Sequence, residues 1–574
     1  MLAPLLCLFA ASPVAAKWSI PDCPDFQRAE FRYVKIVTKA VDSTLDEPLK
    51  ADFDRKPDGG VDIWFVERHG KVKRYEAASR TVSVVGSLDV YSDSPARAAQ
   101  TGDTETGLDG IVLDPAFAAN HWLYLYYSAW AKPEFRVSRF TVNAGKLDMQ
   151  SEKILLAIPE GRIYKGAALV LPGGALAFDP SGDLWIAVGA DSKLAPSVSE
   201  TDRIASAEAS ASDMADLRGS LLRIHPDNSE KGYSVPAGNL GAYWSERFAA
   251  QGEADLAKEY ADPAKVLPEI YVKGTRNPYS LSVDPVKRWA AWGDFGPNGY
   301  SGQKVEELDL AAHPSFAGYP YWSGRNYFLL QGVGSQWNAM DPAAPVNASK
   351  WNTGPRRLPP AEPALYAYAA ASGAFVEGNH PVTGPIYRYP GALASDVKFP
   401  PHFEGSWFTV DFASPGLRVF QIGEDGSSLS DSLAFLPDLK FERPLDLKQG
   451  PDGALYVVDY GNVWHGTSSN AAIGRIEYTG TCRPVRAGAA RATVPPQPHA
   501  ITISGDQLRF GAVGQAWELR IGDLHGREVR LLRGRGEARL SSGATFPGPG
   551  LWQVRLRTAG GTQTALIPAF PARP

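Results

Sequence analysis

Leu176-Ala177-Phe178-Asp179-Pro180-Ser181-Gly182, followed at once by Leu184-Trp185-Ile186-Ala187-Val188, reads as strand, turn, strand. Asp, Pro and Gly are the residues a tight turn demands, and the flanking apolar, aromatic and β-branched residues favour an extended, half-buried chain. The same shape recurs along the sequence. Lys56-Pro57-Asp58-Gly59 precedes Asp62-Ile63-Trp64-Phe65-Val66, and Ile111-Val112-Leu113-Asp114-Pro115 precedes Trp122-Leu123-Tyr124-Leu125-Tyr126. Leu281-Ser282-Val283-Asp284-Pro285 precedes Trp289-Ala290-Ala291-Trp292, and Phe403-Glu404-Gly405 precedes Ser406-Trp407-Phe408-Thr409-Val410. The last copy is Leu445-Asp446-Leu447, then Pro451-Asp452-Gly453, then Leu455-Tyr456-Val457-Val458-Asp459. Six such units, each too small to bury its own apolar face, predict radial stacking as a six-bladed β-propeller. A pair of β-sandwiches or a β-helix is the alternative for the uneven spacing. Insertions are expected at 197–217, 233–266 and 327–381, with helical periodicity over 243–260.

Composition agrees. The 574 residues include 56 Gly and 46 Pro, with 11% aromatics, a hydrophobic fraction of 44%, a charged fraction of 21% and a net charge of −5. These values exclude a disordered chain and a polytopic membrane protein. Residues 1–16 carry no charged side chain and end in Pro13-Val14-Ala15-Ala16, the pattern of a cleaved export signal. No later run reaches the roughly 18 apolar residues of a membrane span. The expected protein is therefore exported, to the periplasm, the cell surface or the medium, with no transmembrane segment.

After removal of Cys7 with the signal, Cys23 and Cys482 remain. Closing a propeller ring through its terminal strands would bring these two together, so a Cys23–Cys482 disulfide is expected. Residues 17–484 form the propeller; 485–500, rich in Pro and Ala, is a linker; 501–574 alternates again and reads as a small β-sandwich. This terminal segment holds ten Arg, no Lys and five acids. Arg on exposed strand faces accounts for that charge better than nucleic acid, which is not expected as a partner. Zinc, haem, serine-hydrolase and P-loop motifs are all missing from the sequence.

Several stretches, in order, resemble the soluble glucose/sorbosone dehydrogenases that depend on pyrroloquinoline quinone. They include Glu105-Thr106-Gly107-Leu108-Asp109-Gly110, Gly173-Gly174-Ala175-Leu176, Leu217-Arg218-Gly219-Ser220, Gly274-Thr275-Arg276-Asn277-Pro278, Trp292-Gly293-Asp294-Phe295-Gly296-Pro297 and Pro444-Leu445-Asp446-Leu447. The resemblance implies a six-bladed propeller whose quinone is held in the channel mouth through calcium and accepts a hydride from a sugar. It implies that Gly296 and Pro297 supply carbonyl ligands to calcium, and that Arg276, Asn277 and Arg443 contact the quinone. Glu307 matches an acid associated with a structural calcium, or is a plain surface carboxylate. Asp294 is expected to orient the Gly-Pro loop.

Two positions depart from the family. Its general base, a His two residues before a Gly-Gly pair, is Leu171 here, and Leu445 replaces an arginine. A leucine accepts no proton. Asp109 stands as a candidate substitute base, or as a solvated turn residue. The residues thus support an exported sugar or alcohol dehydrogenase, or a propeller that lost the chemistry and binds a glycan or a protein. The terminal domain resembles bacterial secretion-sorting tails, with secretion machinery as its partner, or is an accessory sandwich.

Overall fold

The structure, a computed structural model, describes residues 30–96, 98, 105–160, 171–190, 206–296, 305–324, 327–328, 340–369, 380–413 and 416–480, and the strand residues within 502–569. The expected signal peptide, Cys23, Cys482, Pro297 and the linker 485–500 lie outside the described residues. The chain separates into two compact units, Met1–Pro484 and Val485–Pro574.

The first unit is a six-bladed β-propeller. Blade 1 runs from the inner strand Pro48–Arg55 through Val61–Glu67 and Lys71–Glu76 to Thr81–Ser87, and blade 2 from Leu108–Leu113 through Trp122–Ser128 and Glu134–Asn143 to Lys146–Pro159. Blade 3 comprises Gly173–Phe178, Leu184–Val188, Ser220–Pro226 and Ile270–Lys273, extended by the parallel strand Ser315–Phe316. Blade 4 comprises Pro278–Val283, Ala290–Asp294, Val305–Ala311 and Tyr366–Ala369; blade 5 comprises Pro381–Ile386, Ser406–Asp411, Leu417–Ile422 and Leu429–Phe435. Blade 6 takes Pro444–Gln449, Leu455–Asp459 and Ala472–Tyr478 from the end of the propeller and Phe31–Thr38 from its beginning. The inner strands neighbour one another in that order around the ring.

Closure through the termini is therefore as expected from the repeat. Phe31 pairs with Tyr478 in antiparallel register, Arg32 donates to Glu477 at 2.6 Å, and the Phe31 ring packs on Phe399 at 4.8 Å. Each blade buries a bulky aromatic from its second strand between sheets: Trp64, Tyr124, Trp185, Trp292, Trp407 and Tyr456, none more than 2% exposed. Truncating such a side chain to Ala costs about 3–5 kcal/mol, so these residues hold the blades face to face. Where blades 2 and 3 meet, a Cβ on Gly110 would lie 2.0 Å from the Gly174 carbonyl oxygen. Only glycine permits that backbone approach.

Three local expectations are corrected. The helical segment is two helices, Leu240–Ala250 and Ala254–Ala261, because Gly252 takes φ +82° between them. The inner strand of blade 5 is Pro381–Ile386, at the edge of what reads as insertion. The described part of 327–381 also supplies Tyr366–Ala369, the outer strand of blade 4.

In the second unit, Thr502–Ser504, Gln507–Phe510 and Ala538–Ser541 form one antiparallel sheet. Glu528–Arg535, Ala516–Gly522, Gly550–Thr558 and Gly561–Ala569 form another. Among the described residues, no helix is long and apolar enough to cross a membrane.

Candidate active site

All six inner strands begin at one mouth of the channel, and the residues singled out in the sequence gather there. At the opposite mouth lies a cavity of about 500 Å³, reached by Asp52, Phe178, Val283, Arg388, Gln449 and Pro451. Its arginine is already committed to Asp284 and Glu404.

The first mouth is organised by Asp294, which the register of blade 4 sets opposite Pro278. Its carboxylate accepts from the main-chain N–H of Asn277 at 2.6 Å and of Arg276 at 2.8 Å. Burial pushes this carboxyl up to about 6, while the two N–H donors and the Arg276 charge pull the other way. Asp294 thus orients the Arg-Asn pair. Asp294 also takes the main-chain N–H of Phe295 at the start of the Gly-Pro loop, and Glu306 Oε2 accepts from Gly296 N at 2.9 Å. Asn277 in turn accepts from Gly173 N at 3.0 Å, linking blade 4 to the Gly-Gly turn of blade 3.

Arg276 is 5% exposed. Its Nη1 donates to the carbonyls of Phe295 at 2.9 Å and Gly296 at 3.1 Å. Its Nε is buried with no hydrogen-bond partner among the described residues. From Arg276 a run of planar groups crosses the mouth. The guanidinium lies 5.0 Å from the Phe295 ring centroid. Phe295 stacks on His380 at 3.8 Å and 9°, and His380 meets Phe412 edge-on at 5.2 Å. Arg443 lies 5.8 Å from the Phe412 centroid, and its side chain also donates to Gly461 O at 3.2 Å. The structure therefore sets Asn277 and Gly296 beside Arg276 and links Arg276 to Arg443 through three rings, Phe295, His380 and Phe412.

Asp109 is not a solvated turn residue. It is 0% exposed, Oδ2 accepts from Gly107 N at 3.2 Å, and Oδ1 has no hydrogen-bond partner among the described residues. Burial pushes it up to about 8. Below the mouth it senses the charge of Lys50, also buried, whose ammonium donates to the Leu445 carbonyl and sits 4.1 Å from the Tyr279 ring centroid. A substrate entering the mouth does not reach a group with no exposed surface. Leu171 is 1% exposed and Leu445 4%; both are core side chains, so an imidazole built at 171 would be buried. Glu307 is likewise no surface carboxylate. It is 8% exposed, it accepts from Ser323 Oγ and Gly324 N, and burial beside Asp294 pushes it up to about 8. His225 serves structure, its Nδ1 lying 2.9 Å from Asp183.

The buried Nε of Arg276 has no acceptor among the described residues, and an anionic, planar ligand seated close against the guanidinium would supply a carboxylate or quinone oxygen to it. Calcium is a different matter. The Gly296 carbonyl already faces a guanidinium nitrogen, and among the described residues no group of three His, Cys, Asp or Glu side chains is placed to hold a metal.

Residues 45–247 match the glucose/sorbosone dehydrogenase family. The match spans blades 1 and 2 and reaches into the first helix of the blade 3 insertion, so it includes Asp109, Leu171 and Gly173. Among solved structures, an oxidoreductase (glucose dehydrogenase) of Thermus thermophilus is 20% identical with a TM-score of 0.49, over 78% of this chain and 99% of its own. The pyrroloquinoline-quinone-bound aldose sugar dehydrogenase of Streptomyces coelicolor is 18% identical with a TM-score of 0.48, over 78% and 98%. The apo aldose sugar dehydrogenase of Escherichia coli is 18% identical with a TM-score of 0.47, over 78% and 99%. No curated protein matches the chain.

His380, Phe295, Phe412 and Lys50 escaped the sequence reading. The signal for His380 was its place before Pro381-Val382-Thr383-Gly384, a strand opening like Asn277-Pro278 in the preceding blade.

Proposed function

We propose that the protein is an exported quinoprotein dehydrogenase that oxidises a sugar or related alcohol, with pyrroloquinoline quinone held at the mouth formed by the starts of the inner strands. The observation that carries this reading is the pair Arg276 and Asn277 fixed at that mouth, with a buried guanidinium Nε that has no acceptor among the described residues and Arg443 at the far end of the ring series. The family match over 45–247 supports it. When bound, the quinone supplies two-electron oxidation by accepting a hydride. The chain's residues do the rest. Arg276 and Arg443 neutralise the ligand's carboxylates, and Asn277, locked by Asp294 and Gly173, presents its amide at a fixed angle. Phe295 and Phe412 are buried on either side of His380, one stacked and one edge-on, and they hold the half-buried imidazole at the mouth. Calcium at the Gly296–Pro297 carbonyls belongs to this reading as a partner of the quinone, and the Gly296 carbonyl would then share its oxygen between the ion and Arg276 Nη1.

The test is titration of the purified protein with pyrroloquinoline quinone, with and without calcium, followed by optical difference spectra. Saturable binding with sugar-dependent dye reduction is expected; no binding under either condition overturns the proposal. The burial of Leu171 and Leu445, where the family carries a base and an arginine, favours a second reading. In it the propeller binds a glycan or a protein without catalysis, and a glycan would bind while quinone does not. The uncharged apolar run at 1–16 supports export of either activity, and the second unit would serve as a sorting domain for secretion machinery or as an accessory domain.

A further inference from the structure

We infer that His380 takes the hydroxyl proton of the substrate, in place of the base that is missing at Leu171. The inference rests on the dehydrogenase reading above. Three observations carry it.

The first is position. His380 immediately precedes the inner strand of blade 5, just as Asn277 precedes that of blade 4 and Arg443 that of blade 6. Leu171 lies one blade before Asn277, and His380 one blade after it. The second is fixation. A Cβ on Gly293 would lie 2.0 Å from the Pro381 carbonyl oxygen, so glycine at 293 lets blade 5 start directly against blade 4. The His380 carbonyl accepts from Phe412 N at 3.0 Å, and Thr383 N donates to Ser280 Oγ at 2.8 Å. The third is company. The imidazole is half-buried and stacked at 3.8 Å on Phe295, whose own carbonyl and that of Gly296 receive Arg276. On its other side Phe412 carries Arg443. Asp109 has the wrong access, being fully buried beneath the mouth.

The step balances as follows. The substrate O–H bond breaks and its proton passes to an imidazole nitrogen of His380. The adjacent C–H bond breaks with its electron pair, which leaves as hydride, and a C=O bond forms. The sugar or alcohol is oxidised by two electrons; the quinone is the oxidant that takes the hydride, and the imidazolium proton either completes the quinol or passes to solvent, which then supplies the quinol's second proton.

The experiment compares wild-type protein with His380→Gln and His380→Ala. Quinone affinity is read by absorbance titration, and turnover with a panel of aldoses by dye reduction at saturating quinone. Unchanged quinone affinity within about threefold, a turnover loss of about 10²–10⁴-fold, and partial rescue of His380→Ala by added imidazole are expected. Rescue distinguishes a proton acceptor from a residue that only shapes the mouth. Variant turnover within about fivefold of wild type overturns the inference and leaves the dehydrogenase reading standing. A loss of quinone affinity of about tenfold without imidazole rescue also overturns it, making His380 a positioning residue for the cofactor. Wild-type protein that binds quinone yet oxidises no member of the panel overturns both.

Discussion

The side-chain oxygen of Asn277 accepts a hydrogen bond from the main-chain N–H of Gly173 at 3.0 Å, across the seam between blades 3 and 4. This single contact ties the Arg-Asn pair to the Gly-Gly turn, two motifs far apart in sequence. It separates stability from binding in a pair of variants. Asn277→Ala leaves a buried N–H unpaired, and a loss of about 1–3 kcal/mol is expected. Asn277→Asp keeps an acceptor for Gly173 and so melts near wild type, but places a negative charge beside an anion site. A drop of at least about tenfold in quinone affinity is expected from it. Thermal melts and absorbance titrations check both.

Arg276 should matter for binding more than for folding. Arg276→Gln removes the charge and the orphaned Nε donor, and one hydrogen bond to a charged group is worth about 1.5–3 kcal/mol. Quinone affinity should fall by roughly ten- to hundredfold. Equal affinity in the variant would place the cofactor's anionic groups elsewhere.

The pH dependence of stability has a definite sign. Asp109 and Glu307 are both pushed up to about 8 by burial, above their unfolded values near 4. Between about pH 4 and 8 the folded state holds protons that the unfolded state has released, so stability is fully present below that window and is lost as pH rises through it. Asp109→Asn removes one of the two groups. Its melting temperature should change less between about pH 5 and 8 than that of wild type, a difference read directly from melts across that range.

The strand Phe31–Thr38 pairs with Ala472–Tyr478 as the closing edge of blade 6, and Phe31 stands opposite Tyr478. The expected Cys23–Cys482 bridge would extend this closure. Thiol titration of the denatured protein beginning at residue 17 should find no free thiol before reduction and two afterwards. Cys482→Ser should then lower stability by about 2–4 kcal/mol. Two free thiols before reduction would exclude the bridge.

Much of the fold was legible because strands and turns are written locally. Trp185 and Trp292 announce second strands shortly after an Asp-Pro turn, and six such signals count six blades. The blade 5 repeat was harder to place, since Pro381-Val382-Thr383-Gly384-Pro385 carries two prolines and a glycine and looks like loop. Its strand exists because Gly293 and Ser280 of the preceding blade receive it. Arg276, Asn277 and Arg443 were visible as motif residues, whereas the function of Asp294 was visible only in part. Besides the Phe295 N–H, it accepts from both N–H groups of the Arg-Asn pair, a choice made by the strand register that opposes Asp294 to Pro278.

The sequence by itself determined the number of blades, the break before the terminal domain, the arginine and amide that face the mouth, and the absence of a base at 171. The first two reside in residue type and in spacing along the chain, and the last two in the motifs that resemble the glucose/sorbosone dehydrogenases. Only the tertiary structure decided that Asp109 is sealed below the mouth, that Glu307 is buried beside Asp294, and that His380 stacks on Phe295 between two arginines. Burial and neighbourhood are properties of the closed ring, in which residues from successive blades meet at the channel although long stretches of chain separate them.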